Sequence, residues 1–235
     1  MSDIEVVRSD DVVTIRLNRP EKRNAITTAM YAQLAEELAA VDAAVVVLTG
    51  AGGAFTAGND LADMAANPVR EDDSPQHRFL QAVSTLRPVL VAAVDGPAIG
   101  IGSTVLLHCD LVYATTRSTF AFPFVNLGLV PEAASTLLLP RLTGHQKAAE
   151  WMLLGERIAA EEALRVGLVT GLVESAEDLD KLVADRVAAL AAKPRGALLA
   201  TKALLHDESA RTVAARLELD ATVFRGLLAA RSVTD

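Results

Sequence analysis

Phe55-Thr56-Ala57-Gly58-Asn59-Asp60-Leu61 and Gly96-Pro97-Ala98-Ile99-Gly100-Ile101-Gly102 each follow a short apolar run and each open a helix. The runs before them, 43–48 and 89–94, are strand-sized and carry no charge, as expected of strands covered on both faces. Glycine at these turns lets the backbone come close to a ligand, because it has no Cβ. The first amides of a helix have no partner inside it and carry partial positive charge. Two such amides aimed at one point would form an oxyanion hole, able to hold charge developing on a carbonyl oxygen. The same turns also serve packing alone in many folds, so the pair needs further support.

Working outward, 4–8 and 12–17 read as two strands joined by Ser9-Asp10-Asp11, and Pro20 ends the second because it has no amide to donate. Met30, Leu34, Leu38 and Val41 form one stripe of a helix over 27–40. A short helix starts at Asp60, 67–75 is a polar loop, and a helix over 76–86 leads to the strand at 89–94. The segment 101–108 suits a helix, followed by short strands at 111–114 and 120–122. Helices are expected over 135–142, 146–154, 160–166, 177–192, 196–206 and 209–230, with one strand at 168–173. The recurring theme is stacked ββα units, an α/β architecture. Near Ser175 the composition shifts to Ala-rich helix, which divides the chain into a core over 1–175 and a helical region over 176–235.

A hydrophobic fraction of 51% with 22% charged residues is enough for a buried core and excludes intrinsic disorder. The net charge of −8 argues against nucleic acid as a partner, since phosphate recognition needs a basic face. No apolar run has the length of a membrane span. The acidic first residues do not resemble a secretory or transit leader, and the single cysteine, Cys109, excludes an internal disulfide and fits a reducing compartment. A cytoplasmic location is expected.

Several motifs fail on spacing. The third glycine of a dinucleotide fingerprint begun at Gly50 would fall on Phe55, and there is no Walker lysine. His77, His145 and His206 lack metal-ligand spacing, so no metal is expected. Ser103 and Ser135 have no histidine partner for a triad, and adjacent His108 and Cys109 cannot face each other on a helix. Those two, with Trp151, read as core.

The two glycine turns, taken with Leu17-Asn18-Arg19-Pro20-Glu21-Lys22-Arg23-Asn24-Ala25, Cys109-Asp110-Leu111-Val112-Tyr113-Ala114 and Glu162-Ala163-Leu164-Arg165-Val166-Gly167-Leu168-Val169, resemble the crotonase (enoyl-CoA hydratase/isomerase) superfamily. The segments run in family order from residue 4 to about 230. The resemblance implies a spiral of ββα turns followed by helices that mediate trimer packing, as a homotrimer or a homohexamer. It implies an acyl-CoA substrate, with coenzyme A entering as part of that substrate and no separate cofactor. The oxyanion amides would be the N–H groups of Asn59 and Ile101. Arg19, Lys22 and Arg23 match the family's coenzyme-binding basic cluster, a charge arrangement suited to a polyanion. Ala25, Ala57, Gly58, Asp60, Leu61, Gly100 and Phe124 fall at further substrate-contacting positions.

By the same resemblance, the two glutamates of the hydratases are replaced here by Thr104 and Phe124. A different carboxylate stands in Leu129-Val130-Pro131-Glu132-Ala133-Ala134-Ser135, similar to the segment that carries the base of the peroxisomal-type enoyl-CoA isomerases. Ala133 departs from that pattern, where glycine is usual, as does the short loop between Leu61 and Gln76. An apolar wall of Phe122 and Phe124 is expected to raise the pKa of Glu132. The reaction implied is a shift of the double bond of a 3-enoyl-CoA to the 2 position. The alternatives are hydration or another crotonase reaction such as thioester hydrolysis, or binding without turnover. Family members continue past the position of Asp235 with a basic tail, so a contribution from that tail is expected to be missing.

Overall fold

The computed structural model describes residues 2–67 and 74–231. Most of the loop expected at 67–75, and the last four residues, lie outside the described residues.

The chain opens with an antiparallel hairpin, β1 (Ile4–Ser9) and β2 (Val12–Leu17), in which Ile4 pairs with Leu17 and Ser9 with Val12. A single 3-10 turn over Pro20–Lys22 follows. Next comes α1 (Thr28–Ala39), whose N-terminal amide at Met30 is capped by the Thr27 hydroxyl. Then follow β3 (Val45–Gly50), α2 (Leu61–Ala66) and α3 (Pro75–Ser84), the last two capped by Asp60 and Ser74. Beyond them run β4 (Val89–Val94), β5 (Pro97–Ile99) and α4 (Ile101–Thr104), and the chain tightens into a 3-10 turn over Val105–His108. β6 (Leu111–Thr115), β7 (Thr119–Ala121), α5 (Ser135–Thr143) and α6 (His145–Leu154) complete the middle of the chain. The last elements are β8 (Ile158–Ala159), α7 (Ala160–Arg165), β9 (Gly171–Val173), α8 (Ala176–Ala191) and α9 (Arg195–Arg231).

Among the described residues one sheet runs β1-β2-β3-β4-β6-β9, parallel from β2 onward, and a smaller one runs β5-β7-β8. The apolar runs at β3 and β4 are explained by their two covered faces. Val46, Leu48, Leu90, Ala92 and Val94 pack into the core with Leu34 and Leu38 of α1 and Phe79 of α3. Val45, Val47, Val89, Val91 and Ala93 point the other way, onto Leu179, Val183 and Val187 of α8. Each strand therefore reaches a different layer with alternate side chains. This is the expected α/β architecture with a helical C-terminal region.

Three expectations need correction. Residues 97–99 are a strand rather than part of a turn, because β7 pairs with them at Ala98 and Phe120. The strand expected at 168–173 shrinks to β9. The two helices expected at 196–206 and 209–230 are one continuous helix, α9.

α9 is anchored from its first half. Lys202 is buried; its Nζ lies 2.7 Å from the Asp110 carboxylate and donates to the Pro88 carbonyl at 2.6 Å. Asp110 also accepts from the Leu90 amide at 2.7 Å and meets His206 at 3.1 Å. Burial alone would raise the Asp110 carboxyl, but His206, Lys202 and the Leu90 amide together hold it below its ordinary value. Leu204 and Leu205, 77% and 79% exposed, lie on the open side of the same helix.

Candidate active site

Asn24 is the hub of the loop that precedes α1. It is fully buried in the left-handed region at φ 56°, accepts from the Arg19 amide, and donates to the carbonyls of Ala51 and Ala54 at 2.9 and 2.7 Å. Its own carbonyl accepts from the Thr56 hydroxyl, which in turn accepts from the Gly58 amide at 3.0 Å. Ala57 donates to the Arg23 carbonyl, and Ile26 donates to the Gly58 carbonyl and accepts from the Asp60 amide. The first glycine turn is thus clamped before any ligand arrives.

The second turn lies directly against the first. Phe55 and Thr56 both donate to the Pro97 carbonyl at 3.0 Å, and Ile99 donates to the Thr56 carbonyl at 3.0 Å. Gly58 sits at φ +95°, where a Cβ would stand 2.9 Å from the Ile99 carbonyl oxygen. Gly100 sits at φ +58° and ψ −117°, a backbone that side chains oppose. These two residues set the direction of the next amide in each turn. Among the described residues, neither the Asn59 N–H nor the Ile101 N–H has a hydrogen-bond partner. Two adjacent turns presenting free amides have the character of an oxyanion hole.

The carboxylate stands on a strained turn. Ala133 and Ala134, directly after Glu132, occupy the left-handed region at φ 59° and 51°, which costs alanine roughly 1–2 kcal/mol each. The Ser135 hydroxyl donates to the Glu132 carbonyl at 2.6 Å, and His108 Nε2 lies 2.8 Å from the Ala133 carbonyl, so the ring carries its proton on that nitrogen. Burial pulls the His108 pKa down to about 4, leaving a neutral donor. His108→Leu keeps the volume but leaves the buried Ala133 carbonyl without a donor. The expected loss of stability is about 1–3 kcal/mol, read from chemical denaturation.

Glu132 is 4% exposed. Its Oε2 accepts from the Gln76 side-chain amide, while Oε1 has no hydrogen-bond partner. The cavity it lines encloses only about 30 Å³, with Gln76, His77 and Leu80 on one side and Leu217, Asp220 and Phe224 of α9 on the other. Burial lifts the Glu132 pKa to about 7, against the Gln76 hydrogen bond and with help from the Asp220 charge. The charge on Glu132 also reaches Tyr31, whose phenol is pushed up chiefly by burial and whose hydroxyl bonds the Asn59 side chain. Tyr31 therefore ties α1 to the first free-amide turn.

The enoyl-CoA hydratase/isomerase family description matches residues 8–234. The chain belongs to this family. Enoyl-CoA delta isomerase 3 of Mus musculus, a peroxisomal protein, is 38% identical over 177 residues, which cover 72% of this chain and 56% of the mouse one. The chain thus spans little more than half the length of that relative. A probable enoyl-CoA hydratase of Rhodobacter capsulatus is 37% identical over 221 residues, covering 91% of this chain and 84% of its own. The crystal structure of an enoyl-CoA hydratase/isomerase from Pseudoalteromonas atlantica superposes with a TM-score of 0.92 at 39% identity, covering 97% of this chain and 92% of that one.

Within this crotonase-family frame the residues named from the sequence separate into groups. Asn59, Ile101, Gly58 and Gly100 come together at the paired turns, with Ala57 and Ala25 in the backbone bonds around them. Asp60 and Arg19 form an internal ion pair at 2.7 Å, and Arg19 also donates to the Ala25 carbonyl at 3.1 Å. The Arg19 hydrogen bond is the main force holding the Asp60 carboxyl below its ordinary value. Arg19 thus braces the loop from inside, while Lys22, Arg23 and Leu61 are exposed.

The apolar wall needs correcting. Phe122 stacks on Trp151 with centroids 6.2 Å apart, and neither Phe122 nor Phe124 lines the cavity of Glu132. The apolar lining comes instead from Leu80, Leu217, Ala221 and Phe224. The direction of the shift is the expected one; the residues that enclose the carboxylate are different.

The remaining candidates are occupied. The Ser103 hydroxyl donates to the Ala98 carbonyl at 2.6 Å and accepts from the Ala121 amide. Burial pushes the Cys109 thiol far up, and it rests on the Val105 carbonyl. Among the described residues no three His, Cys, Asp or Glu side chains are grouped to hold a metal, and no helix is long and apolar enough to cross a membrane.

Sequence reasoning missed Asn24, Tyr31, Gln76 and Asp220. For Asp220 a signal was available: a carboxylate between Leu217, Ala221 and Phe224, on what helical spacing makes one apolar face.

Proposed function

We propose that this protein moves the double bond of a 3-enoyl-CoA to the 2 position, with Glu132 as the single base. The observation that carries the reading is the Glu132 carboxylate: buried, held by Gln76 through one oxygen, with the other unpartnered in an apolar cavity. A carboxyl whose pKa is lifted to about 7 matches the affinity for protons that a base needs near neutral pH. Similarity to an enoyl-CoA delta isomerase points the same way.

Glu132, as carboxylate, takes a proton from the α carbon between thioester and alkene. Electron density moves onto the thioester oxygen, where the Asn59 and Ile101 N–H groups hold it. The protonated Glu132 then returns the proton to the γ carbon, so no atom is gained or lost. Lys22 and Arg23, exposed beside the first turn, are positioned for the coenzyme phosphates. The exposed leucines of α9 support assembly with further copies of the chain.

Hydration has less to draw on here. Thr104 is buried with its hydroxyl turned to the Ile101 carbonyl at 3.4 Å, and Phe124 is buried, so neither supplies a carboxylate to activate water. Incubation with a short 3-enoyl-CoA should yield the 2-enoyl-CoA, followed by chromatography of the thioesters. Efficient conversion of 2-enoyl-CoA to 3-hydroxyacyl-CoA, with no isomerisation, would overturn the proposal.

A further inference from the structure

The cavity that holds Glu132 contains a second carboxylate, which takes no proton in the double-bond shift. Asp220, on α9, is 8% exposed, and its Oδ2 has no hydrogen-bond partner. Three nearby donors have other partners. Gln76 gives its amide to Glu132, His77 lies 2.8 Å from Gln81 and 3.2 Å from Glu218, and Arg216 donates to the Thr136 hydroxyl at 3.0 Å. A hydrocarbon tail would leave the Asp220 Oδ2 as it stands, a buried oxygen without a hydrogen bond, which is the costly arrangement. A hydroxyl on the tail would satisfy it.

Resting on the isomerase reading for where the acyl chain lies, the geometry points to a substrate whose short acyl chain carries a hydroxyl, with Asp220 as the acceptor of that hydroxyl. Shortness follows from the small enclosed space of about 30 Å³, on a scale where one water needs roughly 10–15 Å³. Leu80, Leu217, Ala221 and Phe224 supply apolar contact for the methylene groups between thioester and hydroxyl. Burial raises the Asp220 pKa to about 6, against the Ala134 backbone and Arg216. Near neutral pH it is therefore chiefly the carboxylate that acts, an acceptor and not a donor.

The test uses the full chain and saturated ligands, which have no double bond to move. Dissociation constants are measured calorimetrically for butanoyl-CoA against 4-hydroxybutanoyl-CoA and for pentanoyl-CoA against 5-hydroxypentanoyl-CoA. In at least one pair the hydroxylated ligand should bind about 10- to 100-fold more tightly, the worth of one hydrogen bond to a charged group. Asp220→Leu should erase that preference, as should Asp220→Ala. Circular dichroism confirms that the variant used is folded, and having two variants guards against the misfolding of either. Equal binding within both pairs by the unmodified protein, or a preference that survives the loss of Asp220, would overturn the inference. Because these ligands cannot isomerise, that failure is separate from a failure of the isomerase reading, which the 3-enoyl-CoA product assay decides.

Discussion

Glu132→Gln is expected to lower kcat on a short 3-enoyl-CoA by about 10²–10⁴-fold, the usual contribution of a positioned acid–base group, with little change in Kd for the saturated acyl-CoA. Glutamine keeps the shape and can still bond Gln76, but it cannot take the α proton. The pH dependence should carry the same signature. In the unmodified protein kcat should rise with pH and level off above about 7, where Glu132 is ionised.

Stability should move in the opposite direction. Glu132 has a folded pKa raised from the ordinary 4.5 to about 7, so between those values the folded state keeps a proton that the unfolded chain releases. Its contribution is complete below about 4.5 and is lost as pH rises through about 7, on the order of 3 kcal/mol in all. Glu132→Gln should therefore be more stable than the parent at pH 8 and show a flatter stability–pH curve, measured by urea titration. A variant that is inactive and also less stable at pH 8 would mean that the carboxylate is chiefly a structural group.

Gly58→Ala is the second change with a large expected effect. The new Cβ would stand 2.9 Å from the Ile99 carbonyl oxygen, on a backbone already at φ +95°. That oxygen belongs to the adjoining strand β5 and cannot turn aside alone, so the first turn must yield. The amide that follows is Asn59 N–H, and its displacement should cost about 10²–10³ in kcat, the measured scale for losing one oxyanion donor. Glu132 lies on a different segment, so the pH at which kcat levels off should stay put. Rate loss with an unchanged pH profile separates a damaged hole from a damaged base. Full activity in a folded Gly58→Ala protein would contradict the role given to the paired turns.

The parts of this site that could be read in the sequence depend on local rules. β3 and β4 announce themselves as uninterrupted apolar runs, and Thr27, Asp60 and Ser175 are capping residues where helices begin. Gly58 and Gly100 stand where only glycine is comfortable. What could not be read depends on distant partners. Pro97-Ala98-Ile99 looks like a turn until β7 pairs with it. Arg19 reads as a coenzyme ligand, yet the Asp60 carboxylate beside it takes its charge inward. A break in α9 is expected between residues 206 and 209. The helix backbone nevertheless runs on between the Lys202 anchor and the cavity, because tertiary packing outweighs modest local preference. The apolar face around Asp220 is legible in the spacing, but its neighbour Glu132 is brought to it only by the folding of α9 across the site.

The placement of Leu217, Asp220, Ala221 and Phe224 on a single helical stripe separates two tasks that enzymes often entangle. On the proposed reading, the turns that polarise the thioester belong to the β-rich body, whereas the far end of the acyl chain meets residues one helical turn apart on α9. Those positions can be exchanged in small combinations, larger for smaller or polar for apolar, without disturbing the amides at Asn59 and Ile101. On that reading, substrate choice is a modular property, open to redesign along one face of one rod.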